Sequence, residues 1–111
     1  IKNAKQNEFL VLNSAGSQKR DFVYVSDVVD AYVACGKKKI KGTYNIGSSK
    51  SISIKNLANI IINIFKKGFK KKGPNLKFDA KYSCSDISLA YKKFSFKPRV
   101  KLEDGIKKIL N

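Results

Sequence analysis

The chain has 111 residues, room for one small domain with a modest core. Its 24 Lys and Arg against 8 Asp and Glu give a formal charge of +16, and it contains no His and no Met. Without His, a Cys/His zinc site and Ser–His or Cys–His catalysis are excluded, and no metal or nucleophilic centre is expected. Cys35 and Cys84 lack CxxC spacing and read as two buried free thiols in a reducing cytoplasm. No apolar run reaches the roughly 18 residues of a membrane span, and the polar start has no leader-like apolar stretch. A chain that begins at Ile1 without Met reads as a piece of a longer polypeptide.

In chain order, Ile1–Gln6 is expected to end a helix and Phe9-Leu10-Val11-Leu12 to form a strand, broken by Asn13-Ser14-Ala15-Gly16-Ser17. Phe22-Val23-Tyr24-Val25, β-branched and aromatic, predicts a second strand. Ser26 is positioned to cap a helix with Asp27 in its first turn and Val28, Val29, Tyr32 and Val33 on one face, stopping at Gly36. The Lys37–Lys41 run reads as a loop, and Thr43-Tyr44-Asn45-Ile46 as a third strand closed by Gly47-Ser48-Ser49.

The clearest helix covers Ile54 to Phe65, with Leu57, Ile60, Ile61, Ile64 and Phe65 as its apolar stripe, ending near Gly68. Lys70-Lys71-Lys72 reads as a loop before the Gly73-Pro74 break. Leu76, Phe78, Ala80 and Tyr82 alternate with polar residues and predict a strand. Ser85 or Asp86 starts a short helix through Leu89 and Ala90. After Pro98, a final helix begins near Leu102 and places Leu102, Ile106, Ile109 and Leu110 on one face. The class is α/β. The strands are too few for a full sheet, and each helix has one apolar face to cover.

The charge invites a nucleic-acid partner. Only Arg20 and Arg99 are arginines, however, and the lysines are scattered. Guanidinium is the group suited to forked phosphate and guanine contacts, so a solvated Lys-rich surface is preferred to a nucleic-acid site.

The segment Arg20-Asp21-Phe22-Val23-Tyr24-Val25-Ser26-Asp27-Val28-Val29-Asp30-Ala31 resembles the corresponding stretch of extended short-chain dehydrogenase/reductases acting on nucleotide sugars, the NAD-dependent epimerases and dehydratases. Gly16-Ser17-Gln18 before it, Tyr44-Asn45-Ile46-Gly47, the Ile54–Phe65 helix, Asp79, Asp86-Ile87-Ser88-Leu89-Ala90, Phe96-Lys97-Pro98 and Leu102-Glu103-Asp104-Gly105-Ile106 follow in the family's order. The resemblance runs over essentially residues 1–111. It implies the C-terminal, nucleotide-sugar-binding part of a Rossmann-like protein, with UDP-glucose 4-epimerase the nearest type and the N-terminal Rossmann half absent.

The resemblance also implies site residues. Arg20 would hold the substrate diphosphate through paired hydrogen bonds, the alternative being a surface pair with Asp21 or Asp27. Asp79 matches the acid that binds the ribose or orients a phosphate-binding Arg. The Arg and Gly expected three and one residues before it are Leu76 and Phe78 here, and Lys77, in a strand, would face away from Leu76. Val11, Leu12 and Asn13 match the strand against the base, with Asn13 where an aromatic residue is common and Ser14-Ala15 where Gly-Asp is usual. Ile52 matches another base-lining position or packs in the core. Asp27 and Asp86 read as helix-starting residues, and Tyr24 as strand packing.

The family's chemistry needs NAD, a glycine-rich fingerprint after a first strand and a YxxxK pair. Tyr24, Tyr32, Tyr44, Tyr82 and Tyr91 are followed four residues on by Val28, Gly36, Ser48, Asp86 and Ser95, and the fingerprint is missing too. No catalytic or cofactor-binding residue is therefore assigned, and these residues alone are expected to be inactive. Two other classes stay open: a basic nucleic-acid-binding module, and a non-functional remnant of a split gene.

Overall fold

A computed structural model describes residues 1–109; Leu110, expected on the last helix, lies outside the described residues. The chain forms two units. The first contains residues 1–20 and 52–83, and the second residues 21–51 and 84–109 of the described chain.

In the first unit, α1 (Lys2–Lys5) leads into β1 (Phe9–Leu12), and a 3-10 turn follows over Asn13–Gly16. Helix α3 (Ile54–Phe65) has the expected bounds. Ser53 caps it by accepting a hydrogen bond from the Asn56 N–H at 3.1 Å, and Lys66 ends it in the left-handed conformation. Ala4, Leu12, Ala58 and Ile61 are the unit's buried apolar residues, so α1 and α3 cover one side of β1.

Strand β4 (Phe69–Lys72) corrects the loop expected over Lys70–Lys72. It pairs in parallel with β1, from Phe9 opposite Phe69 to Leu12 opposite Lys72. All four of its residues are exposed, so no buried alternation marked it. Lysines on an edge strand discourage pairing with another chain while leaving the ladder intact.

Strands β2 (Lys19–Asp21) and β3 (Ser51–Ser53) form the other two-stranded sheet, and the chain passes between the units within each. The strand expected over 22–25 is displaced to β2. Phe22-Val23-Tyr24 has no ladder partner among the described residues, and α2 (Val25–Lys37) begins two residues earlier than expected, with Tyr24 rather than Ser26 at its cap. Gly36 does not stop α2, and a Cβ there would meet open space.

The segment Thr43–Ile46 is likewise not a strand; it has no ladder partner among the described residues. Nor is Leu76–Tyr82: Lys77-Phe78 is a turn with Phe78 fully exposed, and only Tyr82 makes an isolated parallel bridge, to Lys19. Beyond that bridge, no ladder among the described residues selects a face for its alternating apolar residues.

The core of the second unit is Ala31, Ala90, Phe94 and Phe96, with Ala34, Cys35, Ile40, Tyr44, Ile46 and Ile87 packed against it. The Tyr44 and Phe94 rings meet edge to face at 5.5 Å. Helix α2 thus buries its small residues, whereas Val29, Tyr32 and Val33 of the expected face are about half exposed or more. Helix α4 (Ser88–Phe94) starts after Asp86, whose carboxylate accepts from the Ser88 N–H at 2.9 Å. Helix α5 (Leu102–Lys108) carries Glu103 and Asp104 in its first turn. Cys35 and Cys84 are free and half-buried rather than fully buried. Among the described residues no helix is long and apolar enough to cross a membrane.

Candidate functional site

The first unit brings together two of the residues singled out from sequence. Lys19 in β2 donates its N–H to the Lys81 carbonyl at 2.9 Å and accepts from the Ser83 N–H at 3.0 Å. These bonds lay the 79–83 segment beside β2 and place Asp79 within reach of Arg20.

The Arg20 Nη2 donates to Asp79 Oδ1 at 2.5 Å. Its Nη1 donates to the carbonyls of Ala80 at 2.6 Å and Lys19 at 2.9 Å. A guanidinium carries five N–H donors. Three are committed, which leaves the Nε edge and one Nη2 hydrogen without a protein partner among the described residues. The Arg20 and Asp79 side chains are 27% and 30% exposed, so the fork is braced from behind yet open to solvent. The chemistry suits an anion: a fixed, permanently charged group with donors to spare.

Arg20 pairs with neither Asp21 nor Asp27. Asp21, on the opposite side of β2, accepts hydrogen bonds from the backbone of Ser48 at 2.8 Å, Ser49 at 3.1 Å and Ser85 at 3.0 Å, and from the Ser48 hydroxyl. Burial acts to raise its pKa, but the bonds from Ser48, Ser85 and Ser49 outweigh it and hold the carboxyl below its usual range. Gly47 is required here: a Cβ would lie 2.6 Å from Ser85 Cβ and 2.7 Å from the Asp21 carboxylate. Asp27 is 2% exposed and accepts from the Val100 N–H at 3.1 Å, which ties α2 to the chain before α5. The Asp86 carboxyl is held below its usual range because the Ser88 hydroxyl and N–H bond to it.

The expected base-lining residues lie in the same unit. On β1, Val11 is 56% exposed and Leu12 is buried, its carbonyl accepting from the Gly73 N–H at 2.9 Å. Asn13 is half-buried at the start of the 3-10 turn. Gly73 lets the chain after β4 close on both: a Cβ there would collide with Asn13 Oδ1 and lie 2.7 Å from Val11 Cγ1. Ile52 is half-buried in β3. No hydrogen bond among the described residues joins Val11, Asn13 or Ile52 to the Arg20–Asp79 pair. Lys77, at a turn, gains no place beside it from strand alternation.

Gln18 was not singled out from the sequence. Its Nε2 donates to Asp79 Oδ2 at 2.9 Å, on the carboxylate oxygen that Arg20 leaves free. The available signal was period-two spacing, which puts residues 18 and 20 on one side of an extended chain.

This architecture is the α/β class of the Rossmann-like extended short-chain dehydrogenase/reductases. A UDP-glucose 4-epimerase from Thermotoga maritima, solved with UDP-glucose, matches 99% of this chain and 38% of its own at a TM-score of 0.85 and 26% identity. A UDP-glucuronic acid 4-epimerase from Bacillus cereus, solved with UDP-glucuronic acid and NAD, matches 96% and 37% at a TM-score of 0.84 and 28% identity. The model of the NAD dependent epimerase/dehydratase family matches residues 1–47. A UDP-glucuronate 4-epimerase of Thermodesulfobacterium geofontis is 33% identical over 86% of this chain and 30% of its own length, and an uncharacterized protein of Methanocaldococcus jannaschii is 31% identical over 99% and 34%. The chain therefore belongs to the NAD-dependent epimerase/dehydratase family. It spans about a third of the length of these curated relatives.

Proposed function

We propose that these residues are the nucleotide-sugar-holding part of an NAD-dependent epimerase or dehydratase, of the 4-epimerase type. Arg20 grips the diphosphate through its two free N–H groups, with Asp79 fixing the guanidinium. Val11, Leu12 and Asn13, with Ile52, lie along the base. The single observation that carries this is the Arg20 guanidinium, held on one edge by Asp79 and Ala80 and open on the other. A UDP-sugar is the favoured ligand because relatives and neighbours on this fold act on or bind UDP-glucose and UDP-glucuronate.

In the parent, NAD would accept and return the hydride of the sugar carbon. The residues present do not suit that cofactor: the fingerprint and the Tyr–Lys pair are not among them, so this chain's own part is to hold and orient. An N-terminal Rossmann half would supply both. The need for such a half is supported by segments 22–24 and 43–46, which have no ladder partner among the described residues, and by the exposed apolar residues Val25, Val29, Tyr32 and Val33 of α2. The cell compartment in which this assembly would act is taken to be the cytoplasm.

The test is calorimetric titration of the chain with UDP-glucose and UDP-glucuronate. Arg20→Ala is expected to weaken binding by ~10- to 100-fold, the worth of losing charge-assisted hydrogen bonds. Unchanged affinity would remove Arg20 from the site.

A further inference from the structure

The face of the β1–β4 ladder turned away from α1 and α3 is apolar and open. Side chains alternate across the ladder: Leu12 is buried and Lys70 Nζ donates to Asn59 Oδ1 of α3 at 2.7 Å, whereas Phe9, Val11 and Phe69 are each more than half exposed. Phe9 and Phe69 stand opposite each other in the parallel register, their ring centroids 6.1 Å apart and their planes tilted by 53°. Lys71, two residues beyond Phe69 and so on the same face, holds its Nζ 5.7 Å from the Phe9 ring centroid. Single exposed apolar residues are ordinary; two phenyl rings side by side with a cation over one of them form a platform.

The surroundings are strongly positive. The first unit carries twelve Lys and Arg against Glu8 and Asp79 alone, and Asp79 is taken by Arg20. Lys66 and Lys67 lead into β4, and Lys70, Lys71 and Lys72 are exposed along it. Aromatic rings on a basic sheet face take unstacked bases, while the cations follow the phosphates. The scarcity of Arg argues against reading base edges, but a contact indifferent to sequence needs no such reading. A duplex, whose bases are stacked inward, can use only the cations. We propose that the Phe9–Phe69 face binds single-stranded nucleic acid, with bases stacked on the two rings and the backbone running along the β4 lysines. This interaction is separate from the nucleotide-sugar site and does not rest on it.

Fluorescence anisotropy of the 111-residue chain with a labelled strand of about twelve thymidine nucleotides tests this, with circular dichroism to confirm that each variant folds. The strand is expected to bind at least about fivefold more tightly than a duplex of equal length at equal salt. Phe9→Ala and Phe69→Ala should each weaken it by about 5- to 100-fold without changing its salt dependence. Lys71→Gln should lower the slope of log affinity against log salt by about 0.7. Saturating UDP-glucose should leave the strand bound. A second measurement needs no variant: a strand carrying 5-iodouracil, irradiated on the wild type, should crosslink to Phe9 or Phe69. Equal affinity for strand and duplex, folded alanine variants that bind as the wild type does, or crosslinks confined to other residues would each overturn the proposal. Displacement by UDP-glucose would assign the strand to the nucleotide-sugar site, and tighter Phe9-dependent binding to phosphatidylserine vesicles would assign the face to a lipid surface; either result overturns it too. UDP-glucose binding without strand binding keeps the Arg20 clamp and removes this inference. Strand binding without UDP-glucose binding removes the clamp and keeps this inference.

Discussion

Replacing Asp21 by Asn tests whether this carboxylate is a structural knot of the second unit. Oδ1 accepts from the Ser48 N–H and hydroxyl, and Oδ2 from the N–H groups of Ser49 and Ser85. A side-chain amide has one acceptor oxygen, so either orientation of the substituted side chain keeps one pair and sets an NH₂ against the donors of the other. Two hydrogen bonds to a charged group are lost, each contributing roughly 1.5–3 kcal/mol. Asp21 is only half-buried, so the lower end applies, and the expected destabilisation is about 3 kcal/mol. For a chain of this size that lowers Tm by roughly 12–24 °C.

Urea unfolding and thermal melting followed by circular dichroism would measure this. The dependence on pH supplies a second readout. The folded pKa of Asp21 is depressed, so its contribution is full above the unfolded carboxylate pKa and is lost as pH falls through the folded value. The gap between wild type and Asp21→Asn should hold constant above about pH 5 and narrow below about pH 4. A variant within about 0.5 kcal/mol of the wild type at pH 7 would refute the reasoning.

Two further outcomes are expected from the same unfolding assays. Ala15 has φ +54°, beside Ser14 at φ +48°, so Ala15→Gly should stabilise by about 0.5–1 kcal/mol where glycine ordinarily costs stability; a loss would contradict the left-handed turn. Phe94 is 4% exposed against the Tyr44 ring and Phe78 fully exposed, so Phe94→Ala should cost roughly 3–5 kcal/mol and Phe78→Ala less than about 0.5 kcal/mol; comparable costs would misplace the core.

Helix α3 and strand β1 were legible in the sequence because their signals are local. An apolar stripe at helical spacing, or a short apolar run bounded by turn residues, survives whatever surrounds it. The order of motifs likewise pointed to the family and to Arg20 and Asp79. What the sequence misplaced was pairing. Phe22–Val25 and Thr43–Ile46 have strand composition but find no ladder among the described residues, whereas the lysines of β4 do, because pairing depends on what lies alongside. The partner of Arg20 was decided the same way. Asp21 is adjacent in sequence but points to the other side of β2, while Asp79 arrives from 59 residues away on the segment that Lys19 holds in place. Local periodicity and residue chemistry were thus written in the chain; which carboxylate faces which cation, and that Gln18 donates to that same carboxylate, only the tertiary contacts could decide.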